Sequence, residues 1–355
     1  MNDFIEHPEG QAPHVDEQVS SRYICTANHG FAPFAQEELR RLFGSVKSTL
    51  LVPGEVFLAT LQVESEEVTS QLLANLPIFL RHIQPVQFQD EAGIPALGRL
   101  ATYLNGLSYL QGQNIALHVR KGGKSFWEES QGELREWLQE ELKSLEAEFS
   151  VHEPAWVISV YADDDALYAG VSRPEENLSS WNGGAIRFRK EDGQISRAKF
   201  KLIEAEKEFG IPFNSFRRGL DIGAAPGGWT SFLLEHGIQV TAVDPAHMHE
   251  SLKNYPGLKI LRKNANELKF RENEFDVIVC DMSWSPKLMA RMVTGLLHSL
   301  VPGGTAVVTV KLMHKKPLAM IKEIIEIFEA ERMQIQRAKQ LFHNRDEITL
   351  YMIKY

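Results

Sequence analysis

The chain has 355 residues, 43% of them hydrophobic and 24% charged, which is enough for two or three globular domains. No apolar run approaches the ~20 residues of a membrane helix. The first twenty residues carry Asp3, Glu6, Glu9, Asp16 and Glu17 without an apolar core, which argues against an export signal. Two cysteines, Cys25 and Cys280, rule out a disulfide framework and point to a reducing cytoplasm. The His residues are scattered, none of them paired with Cys or acid at metal-ligand spacing, so no catalytic metal is expected.

The formal net charge is −9, but it divides unevenly. Residues 1–185 carry 12 Lys+Arg against 27 Asp+Glu, whereas residues 186–355 carry 26 against 20, so the second half is the better polyanion binder. After an acidic tail over residues 1–20, expected to be disordered, a strand at 23–27 leads to a helix at 32–42, where Phe34, Leu39 and Leu42 recur at helical spacing. Pro53-Gly54 turns between strands at 49–52 and 55–62, and a helix at 68–79 and a strand at 83–88 follow. That order is the order of a ferredoxin-like unit, here residues 21–90. Residues 91–175 read as a second α+β unit. It has helices at 95–107 and 131–149, a strand at 114–119, and a strand pair at 156–161 and 166–171 turned by Asp163-Asp164-Asp165.

From residue 174 to 193 the composition shifts to Asn, Ser, Gly and charge around Trp181-Asn182-Gly183-Gly184, and residues 176–195 are read as an interdomain linker. Over residues 196–355, strands at 219–223, 239–244, 259–261, 275–281, 305–311 and 347–355 alternate with helices. The expected fold is α/β, a mainly parallel Rossmann-like sheet wrapped by helices.

Asp221-Ile222-Gly223-Ala224-Ala225-Pro226, followed by Gly227, Gly228 and Trp229, joins the first of these strands to a helix. Unpaired N–H groups at such a helix start attract a carboxylate. A dinucleotide fingerprint would place a second glycine where Ala225 stands, to admit a pyrophosphate. S-adenosylmethionine has no phosphate, so the substitution suits it, with Gly223, Ala225, Pro226, Gly227, Gly228 and Trp229 as cofactor contacts. Asp244, closing the next strand, is placed to accept both ribose hydroxyls of an adenosine.

Asp281 ends the run Val277-Ile278-Val279-Cys280, and Lys311 ends Val307-Val308-Thr309-Val310, on strands expected to be neighbours. Lys201 lies on the helix before the sheet and Glu347 opens the last strand. Where two lysines share a pocket, one ammonium disfavours protonation of the other while carboxylates oppose that shift. Such a pocket suits a lysine to the role of base and the carboxylates to orientation and charge balance.

The loop at 221–229, Asp281-Met282 and Glu347-Ile348-Thr349 resemble the FtsJ-type RNA ribose 2′-O-methyltransferases. That family's Lys/Asp/Lys/Glu tetrad falls, in order, on Lys201, Asp281, Lys311 and Glu347. Residues 177–184, Phe200-Lys201-Leu202 and the two upstream units resemble its bacterial members that carry a THUMP domain and methylate a cytidine ribose of large-subunit (23S) ribosomal RNA. The resemblance covers nearly the whole chain after the tail. It implies a THUMP-like RNA-binding domain over 91–175, a methyltransferase domain over 196–355, S-adenosylmethionine as cofactor, ribosomal RNA as partner, and Lys311 as general base with Asp281 also near the cofactor. Asn264 stands where the family commonly places an adenine-contacting Asp, Ala198 replaces a hydroxyl residue, and Ala225 replaces a cysteine. An amide still offers both a donor and an acceptor.

Arg120, Lys121 and Lys124 with Phe126 and Trp127 form a basic and aromatic cluster suited to phosphate contact and base stacking, or else a turn with core aromatics. Lys315 and Lys316, and Arg187, Arg189 and Lys190 in the linker, are further candidates for the RNA backbone. Other readings are the same chemistry on transfer RNA, a non-catalytic RNA-binding assembly factor, and a small-molecule methyltransferase. The last two would have little need of the tetrad.

Overall fold

Three sheets organise the computed structural model, which describes residues 20–189, 193–312 and 316–355. The acidic tail therefore lies, except for Ser20, outside the described residues, as do Lys190 and Lys315. The first unit runs β1 (Ser21–Thr26), α1 (Ala32–Phe43), β2 (Val46–Val52), β3 (Val56–Leu61), α2 (Ser65–Ala74) and β4 (His82–Pro85). Its strands lie in the order β2-β3-β1-β4, every pair antiparallel. Pro33 starts α1, whose fixed φ suits a first turn, and Gly44 ends it at φ +71. Ala35 and Leu39 then pack on Phe57 and Phe79. Glu38, buried on the same helix, accepts from the N–H groups of Ile78, Phe79 and Leu80 at 2.7–3.2 Å and fixes the entry to β4.

The second unit contains β5 (Phe88–Glu91), α3 (Ile94–Asn105), β6 (Asn114–Lys121), α4 (Gln131–Glu141), β7 (Glu148–Phe149), β8 (Trp156–Ala162) and β9 (Ala166–Ser172), in the sheet order β5-β9-β8-β6-β7. Two expectations are corrected here. The strand at 83–88 is two strands in different sheets, because Pro85 closes β4 and the chain crosses to the next sheet before Phe88. The helix at 131–149 stops at Glu141, gives one 3-10 turn at Lys143–Leu145, and reverses at Glu146 with φ +48 into β7.

The connecting segment is folded onto these units. Asn182 Nδ2 donates to the Val119 carbonyl at 2.9 Å, Arg81 Nε donates to the Gly183 carbonyl at 3.1 Å, and Asn177, Gly183, Gly184 and Ile186 are buried.

The third unit runs α5 (Lys199–Phe209), β10 (Arg218–Ile222), α6 (Gly228–Glu235), β11 (Gln239–Val243), β12 (Leu258–Leu261), β13 (Phe275–Cys280), α7 (Pro286–Thr294), β14 (Leu300–Lys311), α8 (Pro317–Ala330), β15 (Met333–Lys339) and β16 (Glu347–Lys354). The seven strands lie in the order β12-β11-β10-β13-β14-β16-β15, parallel except at β16. Helices α5 and α6 cover one face and α7 and α8 the other. The sequence reading found six strands and missed β15, whose Gln334, Gln336 and Arg337 give an edge strand little apolar signal. Buried residues of the first unit and of the α7/α8 face form one continuous apolar cluster.

Candidate active site

Strand direction brings the site together. Parallel β10, β11 and β13 end at the same edge of the sheet, where ligands of such sheets bind. Antiparallel β16 begins where β14 ends, and the register pairs Lys311 with Glu347. Asp281 follows β13, beside β14, and Lys201 comes from the first turns of α5.

Lys201 Nζ lies 3.0 and 3.1 Å from the two Asp281 oxygens and 2.6 Å from Glu347 Oε1. Thr309 donates to Asp281 Oδ1 at 2.8 Å and fixes that carboxylate. Burial opposes the charge on Lys201, but the Asp281 and Glu347 carboxylates more than offset it and hold the ammonium above the usual lysine range. Among the described residues, Lys311 has no ion-pair partner.

The loop after β10 is latched on three sides. Gly223 and Ala224 donate to the Val243 carbonyl at 2.9 and 3.2 Å, and Ala225 donates to Asp244 Oδ2 at 3.1 Å. Thr230 on α6 donates to the buried Asp221 at 2.5 Å. Burial, aided by the charges of Asp281 and Asp244 and opposed by that hydrogen bond, pushes the Asp221 carboxyl up to about 7. Gly223 (φ +75) and Gly227 (φ +116) are required by backbone and by space: a Cβ would sit 2.3 Å from Met282 Cγ at the first and 2.2 Å from Leu252 Cδ1 at the second. Gly228 lets the loop approach Ser196 and the Lys199 N–H at the start of α5.

Asp244 follows β11 and meets the loop at Ala225, and Asn264 lies just beyond β12, the strand next to β11. Asp244 Oδ1 also accepts from the Ala246 N–H at 2.8 Å, and Asn264 Nδ2 donates to Glu267 at 2.7 Å. Trp229 is 3% exposed and lies in the core, where its indole N–H donates to the Ala198 carbonyl at 2.8 Å and ties the loop's helix to the start of α5.

The N-terminal basic cluster divides. Arg120 turns inward and donates to Thr26 Oγ1 at 2.6 Å and Gln84 Oε1 at 2.8 Å. Phe126 and Trp127 pack on the second unit's core, as the core-aromatic alternative had it. Lys121 donates to the Glu129 carbonyl, while Lys124 and Lys316 are exposed.

Sequence reasoning missed Asn28, Arg81 and Glu204. Asn28 Nδ2 donates at 2.8 Å to the carbonyls of Leu341 and Asn344, and Glu204 accepts from the N–H groups of Phe342 and His343 at 2.7 and 2.9 Å. Together they hold the loop that leads into Glu347. Asn28 and Glu204 carry no motif. Arg81 does leave a trace, as a charge within the apolar run Ile78-Phe79-Leu80 and Ile83.

Residues 194–330 match the family described as FtsJ-like methyltransferase. The match falls on the unit that carries the seven-stranded Rossmann-like α/β sheet. Among curated proteins, the Ribosomal RNA large subunit methyltransferase M of Halorhodospira halophila (strain DSM 244 / SL1) is 32% identical over 196 residues, covering 54% of this chain and 56% of that protein. The protein of the same name from Psychromonas ingrahamii is 33% identical over 205 residues, covering 54% and 55%. The chain thus spans about half the length of the curated relatives it matches.

Proposed function

We propose that this protein transfers the methyl group of S-adenosylmethionine to a ribose 2′-oxygen of RNA, with a cytidine of large-subunit ribosomal RNA as its target. The names of the relatives support the RNA class. The observation that carries the chemistry is the pair of unlike lysines: Lys201 is locked by Asp281 and Glu347, while Lys311, in register with Glu347, has no carboxylate partner among the described residues.

S-adenosylmethionine supplies an electrophilic methyl on a sulfonium. The glycine loop, with Ala225 and Pro226, would hold its methionine end, Asp244 its ribose hydroxyls and Asn264 its adenine edge, with Asp281 between cofactor and acceptor. A ribose hydroxyl is a weak nucleophile, so the role left to Lys311 is to take the proton from the 2′-oxygen, and the methyl's leaving group would be the neutral thioether of the cofactor. Lys201 cannot serve as that base while its ammonium is held between two carboxylates. Its charge orients the acceptor oxygen, and alignment supplies much of the rate.

The protein is tested by incubation with tritiated cofactor and large-subunit ribosomal RNA that lacks its methylations, followed by digestion to nucleosides. Label in 2′-O-methylcytidine supports the reading, and label in a base-methylated nucleoside contradicts it.

A further inference from the structure

The first unit, the second unit and the connecting segment meet around a cleft of about 510 Å³, within the ~300–1,000 Å³ of small-ligand sites. Arg81, Arg120, Lys121 and Arg187 line it against one carboxylate, Glu55, among the described residues. This clustering runs against composition, because acidic side chains outnumber basic ones 27 to 12 over residues 1–185.

Two of these cations are deeply set. Arg81 is 6% exposed; its Nη1 donates to Asn28 Oδ1, and Nη2 lies 3.9 Å from Glu55, itself 37% exposed. Arg120 spends Nη1 and Nη2 on the neutral oxygens of Thr26 and Gln84 and leaves Nε without a partner. Burial lowers both guanidiniums only to about 10, so both are charged at neutral pH. The hydroxyl of Tyr161, 1% exposed and lining the same cleft, also lacks a partner. Buried charge is normally paired, and here the protein supplies too little negative charge to pair it.

The turn Trp181-Asn182-Gly183-Gly184 closes one side. Gly183 (φ +61) and Gly184 (φ +68) let it approach both arginines: a Cβ would lie 2.8 Å from Arg120 Nη1 at the first and 2.7 Å from Arg81 Cγ at the second. Trp181, 39% exposed, lines the cleft. Lys121 and Arg187 extend the positive lining beyond buried Arg81 and half-buried Arg120, which fits a polyanion better than a single small anion.

We propose that this cleft binds a single-stranded segment of the RNA substrate, with a phosphodiester group against the Arg81–Arg120 pair and an unpaired base stacked on Trp181. The proposal rests on the RNA methyltransferase reading. It gives the acidic half a direct part in substrate binding, because planar guanidiniums hold phosphate and an aromatic face stacks any base. Arg81 also bonds Asn28 and lies 5.1 Å from the Phe342 ring, on the loop that leads to Glu347. The anchor and the tetrad therefore share one frame, which sets where a bound strand enters the catalytic pocket.

The test titrates the full-length protein with a fluorescein-labelled single-stranded oligocytidylate and compares it with Trp181→Ala, with the double variant Lys121→Glu/Arg187→Glu, and with Lys143→Glu as a remote charge control. Trp181→Ala is expected to weaken binding roughly tenfold. The double variant is expected to flatten the salt dependence by about 0.7 in slope for each phosphate it no longer neutralises, and the control to match the parent. With ribosomal RNA as methyl acceptor, the cleft variants should raise KM for RNA more than they lower kcat. Unchanged binding and salt slope in the cleft variants would overturn the proposal, as would inorganic phosphate binding with no contribution from Trp181. A parent protein that binds the oligonucleotide through Trp181 yet transfers no methyl refutes the activity alone. Methyl transfer with unchanged KM in Trp181→Ala refutes the cleft alone.

Discussion

At the edge of the seven-stranded sheet, half-buried Lys201 is held between Asp281 and Glu347, two carboxylates for one ammonium. At the junction of the two smaller sheets, Arg81 and Arg120 share a cleft with Glu55 as its one carboxylate among the described residues. Surplus negative charge fixes a cation and keeps it protonated, so it can orient a reacting group without exchanging protons. A shortage of negative charge leaves a cation available to an anionic ligand. The same principle thus separates the part of the molecule suited to chemistry from the part suited to holding a polyanion.

The comparison breaks most sharply if its fixed ammonium is removed. Lys201→Ala leaves Asp281 and Glu347 facing each other and takes away the charge that orients the acceptor. Methyl transfer is expected to fall by about 10²–10⁴-fold, with cofactor affinity changed far less, as read by single-turnover kinetics and calorimetry. Gly223→Ala tests the neighbouring wall: strain at φ +75 and the approach to Met282 are expected to weaken cofactor binding about tenfold, measured by equilibrium titration.

A smaller effect tests the frame between the two regions. Asn28→Ala removes the donor to Leu341 and Asn344 and strips Arg81 of one of its acceptors. Denaturant unfolding should show a loss of roughly 1–3 kcal/mol, and kcat should fall because the loop entering Glu347 is loosened.

A further test is a pH dependence. Because the folded protein holds the Asp221 carboxyl at about 7 rather than the usual 3.8, it binds that proton more tightly than the unfolded chain does. This contribution to stability is complete below about 3.8 and is lost as pH rises through 7. Unfolding free energies of the parent minus Asp221→Asn should show that decline, and a flat difference would count against it.

The gathering of Lys201, Asp281, Lys311 and Glu347 was legible because parallel buried strands read as apolar runs, and the charged residue ending each run stands at the carboxyl edge of the sheet. Val277-Ile278-Val279-Cys280 announces Asp281, and Val307-Val308-Thr309-Val310 announces Lys311. The packing of Trp229 was not legible, because a residue inside a cofactor motif can also serve the core behind it. β15 was missed because an edge strand needs few apolar residues. The junction was legible only in pieces: Arg120 and the Trp181–Gly184 stretch stood out, but Asn28, Arg81, Arg120 and Gly183 are separated by dozens of residues, and only tertiary packing makes them neighbours.

The unlike roles of the two lysines are tested most directly by Lys311→Ala, with cofactor binding and methyl transfer to ribosomal RNA measured on the same preparation. The expected result is cofactor affinity near that of the parent and no 2′-O-methylcytidine formed. A variant that still methylates at the parent rate would show that Lys311 is not the base.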